Sequence, residues 1–96
     1  MDKRYAVLSP AEQVALRRDL MLRLEAAPAM PIPAVIREIR KTLRLTIPEY
    51  ARLCQVSPRT LQDIERGVAS PTLSTVDKLL QPMGLRAGAV AAASWP

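Results

Sequence analysis

Apolar residues recur at helical spacing in five stretches of the chain, and nearly every stretch opens on a hydroxyl residue or a proline. In the first, Ser9 precedes Pro10, Glu12 stands where a capping box places its acid, and Val14, Leu16, Leu20, Met21 and Leu24 supply apolar faces. This predicts a helix over about 10–26. The segment APAMPIPA, residues 27–34, has three prolines in eight residues and reads as a stiff, extended connector that sets a helical arm apart from a core domain. A second helix over about 33–43 puts Ile36, Ile39, Arg40 and Leu43 on one side and leaves Arg37, Lys41 and Arg44 on a solvated basic side. Thr46 and Glu49 repeat the capping box and open a helix of about eight residues that turns Tyr50 and Ala51 inward, with Leu53 and Cys54. Ser57 as cap and Pro58 as first helical residue start a fourth helix of about nine residues, with Leu61 and Ile64 facing the core and Gly67 just past its end. Thr72 opens the fifth, whose apolar side is Leu73, Val76, Leu79 and Leu80, and Pro82 and Gly84 end it. There is no internal repeat.

Composition narrows the fold class. The 96 residues suffice for one modest core, and 49% of them are hydrophobic. Aromatic residues are limited to Tyr5, Tyr50 and Trp95, so the core is aliphatic and suits packed helices better than strands. The expected fold is all-α. A net charge of +5 and a pI near 10.1 point to a polyanionic partner. Cys54 is the only cysteine and histidine is absent, so neither a disulfide nor a metal site nor any cofactor is expected, and a reducing cytoplasm is the natural location. No apolar run approaches the roughly 20 residues of a membrane span, and the start MDKRYAVLSP lacks the apolar stretch of a secretory signal. Catalysis is not expected either: there is no histidine, no glycine-rich phosphate loop, and a single cysteine in apolar company. Tyr5 and Cys54 read as terminus and core filler.

The third and fourth helices and the short turn between them, TIPEYARLCQVSPRTLQDIERG, have the dimensions of a helix-turn-helix, whose second helix enters a major groove amino end first. In that geometry Arg59 can donate two hydrogen bonds to guanine. Thr60 can touch a base edge, a thymine methyl or a phosphate, and Asp63 can accept from cytosine. The competing reading is an exposed Arg59–Asp63 pair at i, i+4, worth about 0.3–0.5 kcal/mol and without function.

Residues 36–85 resemble the Cro and lambda-repressor-like (XRE) helix-turn-helix family, through LT, YA, VS, TL, IERG, SPTLST and LL at the family's spacings. The resemblance covers about half the chain and rests on a fairly specific string, VSxxTLxxIERG followed by SPTLxTxxKLL. It implies a five-helix DNA-binding domain over 34–85, an extra N-terminal helix and proline-rich connector over 1–33, and a tail over 86–96 that can supply a short strand. By the same resemblance, Pro58, Arg59, Thr60, Gln62 and Asp63 face the groove, with Arg59 and Asp63 the foremost base readers. Thr46, Ile47, Ser57, Ser70 and Thr72 would meet phosphates, with Lys41, Arg44 and Arg52 adding charge at the rim. Arg40 and Glu65 fall where the family places a buried structural ion pair.

The partners implied are double-stranded DNA bearing a palindromic operator and a second copy of the chain, with half-sites about one helical turn apart. The arm 10–26 and the tail LRAGAVAAASWP are the candidate dimer surfaces. The trailing strand and apolar tail further resemble HipB-type antitoxins, which repress their own operon and neutralise a kinase-like toxin; Trp95 suits a tail anchored in such a partner. Three departures stand out. Ile47 replaces a common glutamine that bonds phosphate, Gln55 replaces a common glycine in the inter-helix turn, and the GVAS loop lacks the usual lysines and arginines, which predicts a shallower salt dependence. Ile47 and Gln55 favour a protein-interaction module that has lost DNA. Arg59, Thr60 and the excess of seven basic over four acidic side chains in 34–66 favour a sequence-specific repressor.

Overall fold

The computed structural model describes residues 8–91. Tyr5, Trp95 and the last residues of the tail lie outside them. Five α-helices occur among the described residues: α1 (Pro10–Ala26), α2 (Ile32–Thr42), α3 (Ile47–Cys54), α4 (Pro58–Glu65) and α5 (Leu73–Leu80), followed by a 3-10 turn (Gln81–Met83). Four of the helices are capped by hydroxyls: Ser9, Thr46, Ser57 and Thr72 each accept the backbone N–H three residues on. Ser9–Glu12 and Thr46–Glu49 are complete capping boxes. The bonds from the Ser9 backbone and side chain hold the Glu12 carboxyl below the usual carboxylate range. Its folded pKa is depressed, so its contribution to α1 is present at neutral pH and lost as the pH falls through that range.

The connector is shorter and less extended than its prolines suggest. Helix α2 starts at Ile32 with Pro33 in its first turn, where a missing N–H costs nothing, and Met30 N–H closes a turn onto the Ala27 carbonyl at 3.0 Å. Helices α1 and α2 therefore form an antiparallel hairpin, tied by Arg23 Nη1 to Glu38 Oε2 at 3.5 Å. Leu20 is fully buried with the core, and Leu24 packs against it.

That core comprises Leu20, Ile36, Ile39, Tyr50, Ala51, Cys54, Leu61, Ile64, Val76, Leu79 and Leu80, drawn from all five helices. Each large aliphatic side chain so buried stabilises the fold by about 1.5–3 kcal/mol. Tyr50 fills the centre and donates its hydroxyl to the Leu79 carbonyl, joining α3 to α5; burial pushes its phenol upward, keeping it a neutral donor. Two residues expected on the inner faces lie outside. Leu53 is 56% exposed because it sits at a helix position rotated away from the buried stripe, and Leu73 is 74% exposed because it is the first residue of α5, where that stripe runs past the core. Leu53 follows Tyr50 and Ala51 on α3, and Leu73 precedes Val76 on α5 by a full turn, at the helix end.

The family resemblance implied five helices within 34–85, and four lie there. Pro82 and Gly84 stop the chain after α5, and residues 85–91 form neither helix nor strand. Leu85 and Ala87 instead pack on the core, and the Ala87 N–H donates to Asp77 Oδ1 at 2.7 Å.

Four joints share one backbone device. After α2, α3, α4 and the 3-10 turn, a residue at positive φ reverses the chain while two amide hydrogens return to the last carbonyls, as with Leu45 to Arg40 and Val56 to Ala51. Gly67 and Gly84 take this conformation freely, whereas Arg44 (φ 58°) and Gln55 (φ 60°) take it against their Cβ atoms.

A polar clamp crosses the core. Arg40 Nε donates to Glu65 Oε2 at 2.7 Å and Nη2 to Oε1 at 2.9 Å, while Nη1 donates to the Leu45 carbonyl at 3.0 Å. The side chains of the pair are 17% and 6% exposed. Arg37, expected on a solvated face, donates to the backbone carbonyl of Glu65 and so belongs to the same clamp.

Two stability predictions follow from these features. Glu65→Gln or Arg40→Met alone should lose about 3–5 kcal/mol in urea unfolding, since each strands a buried charge, and replacing both by apolar residues should recover most of the loss. Gln55→Gly and Arg44→Gly should each raise stability by about 0.5–1 kcal/mol, and add, because strain relief exceeds the entropy that glycine adds to the unfolded chain.

Candidate nucleic-acid interface

Helix α4 is held from behind and left open in front. Leu61 and Ile64 are fully buried, and Glu65 is clamped, while Pro58, Arg59, Thr60 and Gln62 are exposed. Asp63 is the half-buried member of this set. Eight residues make a rod about 12 Å long, which fits within the width of a major groove. The turn to α3 closes through Val56 N–H to the Ala51 carbonyl at 2.9 Å, with Gln55 in the left-handed conformation.

At the amino end of α4 the polar groups are already ordered. Thr60 N–H donates to Ser57 Oγ at 3.0 Å, and the Ser57 hydroxyl donates to Thr60 Oγ1 at 2.7 Å. Arg59 Nε donates to Asp63 Oδ2 at 3.2 Å, so the pair weighed from the sequence is formed in the free protein. The guanidinium and the positive end of the helix dipole coincide there, which makes this end attractive to acceptor atoms and phosphate.

The residues assigned to phosphates are less uniform. Lys41, Arg44, Ser57, Ser70 and Thr72 are exposed. Thr72 also caps α5, accepting from Thr75 N–H at 3.1 Å. Thr46 is half-buried, and its hydroxyl donates to Glu49 Oε1 at 2.8 Å while accepting from Glu49 N–H at 3.2 Å. The Glu49 carboxylate therefore sits on the start of α3, where a phosphate would otherwise find unpaired amides. The capping-box spacing was visible in the sequence; that it sets a negative charge on a phosphate position was the part missed. Ile47 is partly buried against the core rather than offered to solvent. The charge of Arg44 bears on Glu12 at the start of α1, so this cation lies by the hairpin as well as beside the motif. Arg37 is exposed, in keeping with the basic side of α2; its bond to the Glu65 carbonyl was the part missed, and its spacing of three from Arg40 was the available signal.

The described residues hold no group of three or more metal-ligating side chains, and no helix among them is long and apolar enough to cross a membrane. The buried Cys54 thiol is pushed up by desolvation, away from the reactive thiolate.

The profile of the helix-turn-helix family matches residues 36–88, from the first core position of α2 to the turn of the tail, a span that takes in α3, α4 and the clamp. No curated protein and no solved structure matches the chain. With the motif's two helices, their turn and the exposed face of α4 all inside the matched span, the chain belongs to the Cro/lambda-repressor-like (XRE) helix-turn-helix family of DNA-binding transcription regulators.

Proposed function

We propose that the protein is a sequence-specific repressor that binds a palindromic operator as a two-fold dimer, with Arg59 the main base reader. The observation that carries this reading is the amino end of α4: an 83% exposed arginine on a helix whose opposite face is buried and whose far end is clamped. A rigid helix with one prominent donor fork is what guanine recognition in a major groove requires. Residues 34–85 serve as the DNA-binding unit, and α1 braces it through Leu20 and Leu24. Thr60, Gln62 and Pro58 line the groove beside Arg59. Lys41, Arg44, Ser57, Ser70 and Thr72 meet phosphates. Thr46 contributes least, because Glu49 already occupies its hydroxyl.

Dimerisation is part of the proposal because one helix of eight residues reads too few bases to hold a specific site alone. An antitoxin role, with a toxin as second partner, is the finer reading supported by the resemblance to HipB-type proteins. A groove of about 170 Å³ that includes Leu24, Met30, Ile32, Val35, Leu80 and Leu85 in its lining favours it, being of a size and polarity to receive an apolar side chain. A kinase-like toxin frame next to the gene would support that role, and its absence would leave a stand-alone regulator.

Fluorescence anisotropy on DNA upstream of the gene, against scrambled duplex at two salt concentrations, tests the central claim. The expected preference is about a thousandfold or more. Equal binding to both duplexes would leave an interaction module. Arg59→Ala should cost about 1–3 kcal/mol and relax specificity. Lys41→Ala should weaken binding evenly across sequences and reduce the slope of log K against log salt by about 1 per copy.

A further inference from the structure

We propose that Asp63 does not read a base but positions Arg59, committing the half-site to a guanine opposite α4. This deepens the DNA-binding reading above and rests on it. The two side chains are unequally placed: Arg59 is 83% exposed and Asp63 26% exposed, so the groove-facing end of the pair belongs to the arginine. Asp63 Oδ2 takes the Nε–H of Arg59 at 3.2 Å. That bond uses one edge of the guanidinium and leaves the outer edge, formed by Nη1 and Nη2, as two parallel donors.

Only guanine offers two adjacent acceptors, O6 and N7, to such a fork. Adenine sets a donor beside its N7, thymine has a single oxygen, and cytosine presents an amino group. A guanidinium held by its Nε is therefore aimed for one base, whereas a free one can rotate to phosphate. The carboxylate gains as well. Unpaired in a groove flanked by phosphates it would be repelled, and paired it is neutralised. Asp63 also has few alternatives, since Thr60 and Ser57 bond each other across the same turn. Gln62, exposed and outside the pair, remains available for a neighbouring base.

The experiment selects an operator from random duplexes with the full chain, then measures binding with each base pair varied singly, for the wild type, Arg59→Ala, Asp63→Ala and the near-isosteric Asp63→Asn. Arg59→Ala and Asp63→Ala should relax the same base pair. The loss of discrimination should be about tenfold or more for the arginine and smaller, about fivefold, for the aspartate. Asp63→Asn should fall between wild type and Asp63→Ala, because its remaining oxygen still accepts. Asp63→Ala should also bind unrelated DNA more tightly, with one negative charge removed. In a duplex whose paired cytosine lacks the exocyclic amino group, wild-type affinity should stay within about twofold. Relaxation at a different base pair by Asp63→Ala, an unchanged profile, or a loss on the amino-free duplex that vanishes in Asp63→Ala would each overturn the assignment while leaving DNA reading intact. If the wild type selects no sequence at all, the DNA-reading proposal itself fails, a result separate from the others.

Discussion

The Arg40–Glu65 ion pair is the constraint on which the placement of the recognition helix depends. Apolar packing is non-directional, so Leu61 and Ile64 hold α4 against the core without settling its rotation or its shift along its axis. A two-pronged bond between a guanidinium and a carboxylate tolerates little of either movement. The same guanidinium reaches the Leu45 carbonyl at the joint before α3, and Arg37 grips the carbonyl at the end of α4. Both α4 and the joint before α3 are thus fixed by charge-assisted bonds to one helix. Burying that pair adds little net stability, because desolvation offsets most of the attraction. Its effect is on geometry, and geometry is what base reading demands.

The joints between helices serve the same end by a different means. Each of α3, α4 and α5 starts at a hydroxyl cap, and the first two also have a proline in the first turn, so their starts are sharply defined. The ends of α2, α3 and α4 are equally abrupt, through a residue at positive φ after each. At Arg44 and Gln55 the tight turn is kept at a cost in strain, where glycine would have been free. A strained residue persists where its surroundings over-determine it, and here the packing on both sides of each turn does so. The distance from α3 to α4 is accordingly short and inflexible.

Most of this was legible in the sequence because caps and periodicity are local properties. Ser9, Thr46, Ser57 and Thr72 announced the starts of four helices, and Ile36, Ile39, Tyr50, Ala51, Leu61, Ile64, Val76, Leu79 and Leu80 followed from the spacing of their neighbours. What escaped was set by tertiary context. Leu53 is apolar yet lies off the narrow buried stripe of α3, and Leu73 lies on the stripe of α5 but at the first residue of the helix, past the edge of the core. The prolines of 27–34 were read as one stiff rod, although a proline within the first turn of a helix starts that helix. Arg37 had no local partner, because the carbonyl it bonds lies 28 residues away. The family resemblance supplied the Arg40–Glu65 pairing, which spacing alone could not. At the interface, exposure of Arg59 and Thr60 was readable from helical phase, but the half-burial of Asp63 depends on how α4 rests on its neighbours.

Charge is where the fold bears most directly on DNA selection. The chain has a surplus of five positive charges, but several cations are already occupied within the protein: Arg40 by Glu65, Arg59 by Asp63, Arg23 by Asp19 and Glu38, and Arg37 by a carbonyl. The start of α3 is likewise covered by Glu49. Lys41, Arg44, Arg52 and Arg66 take no part in these bonds and are exposed, so general attraction to phosphates remains. The internal pairs that orient α4 and Arg59 therefore act on geometry and leave that general attraction in place.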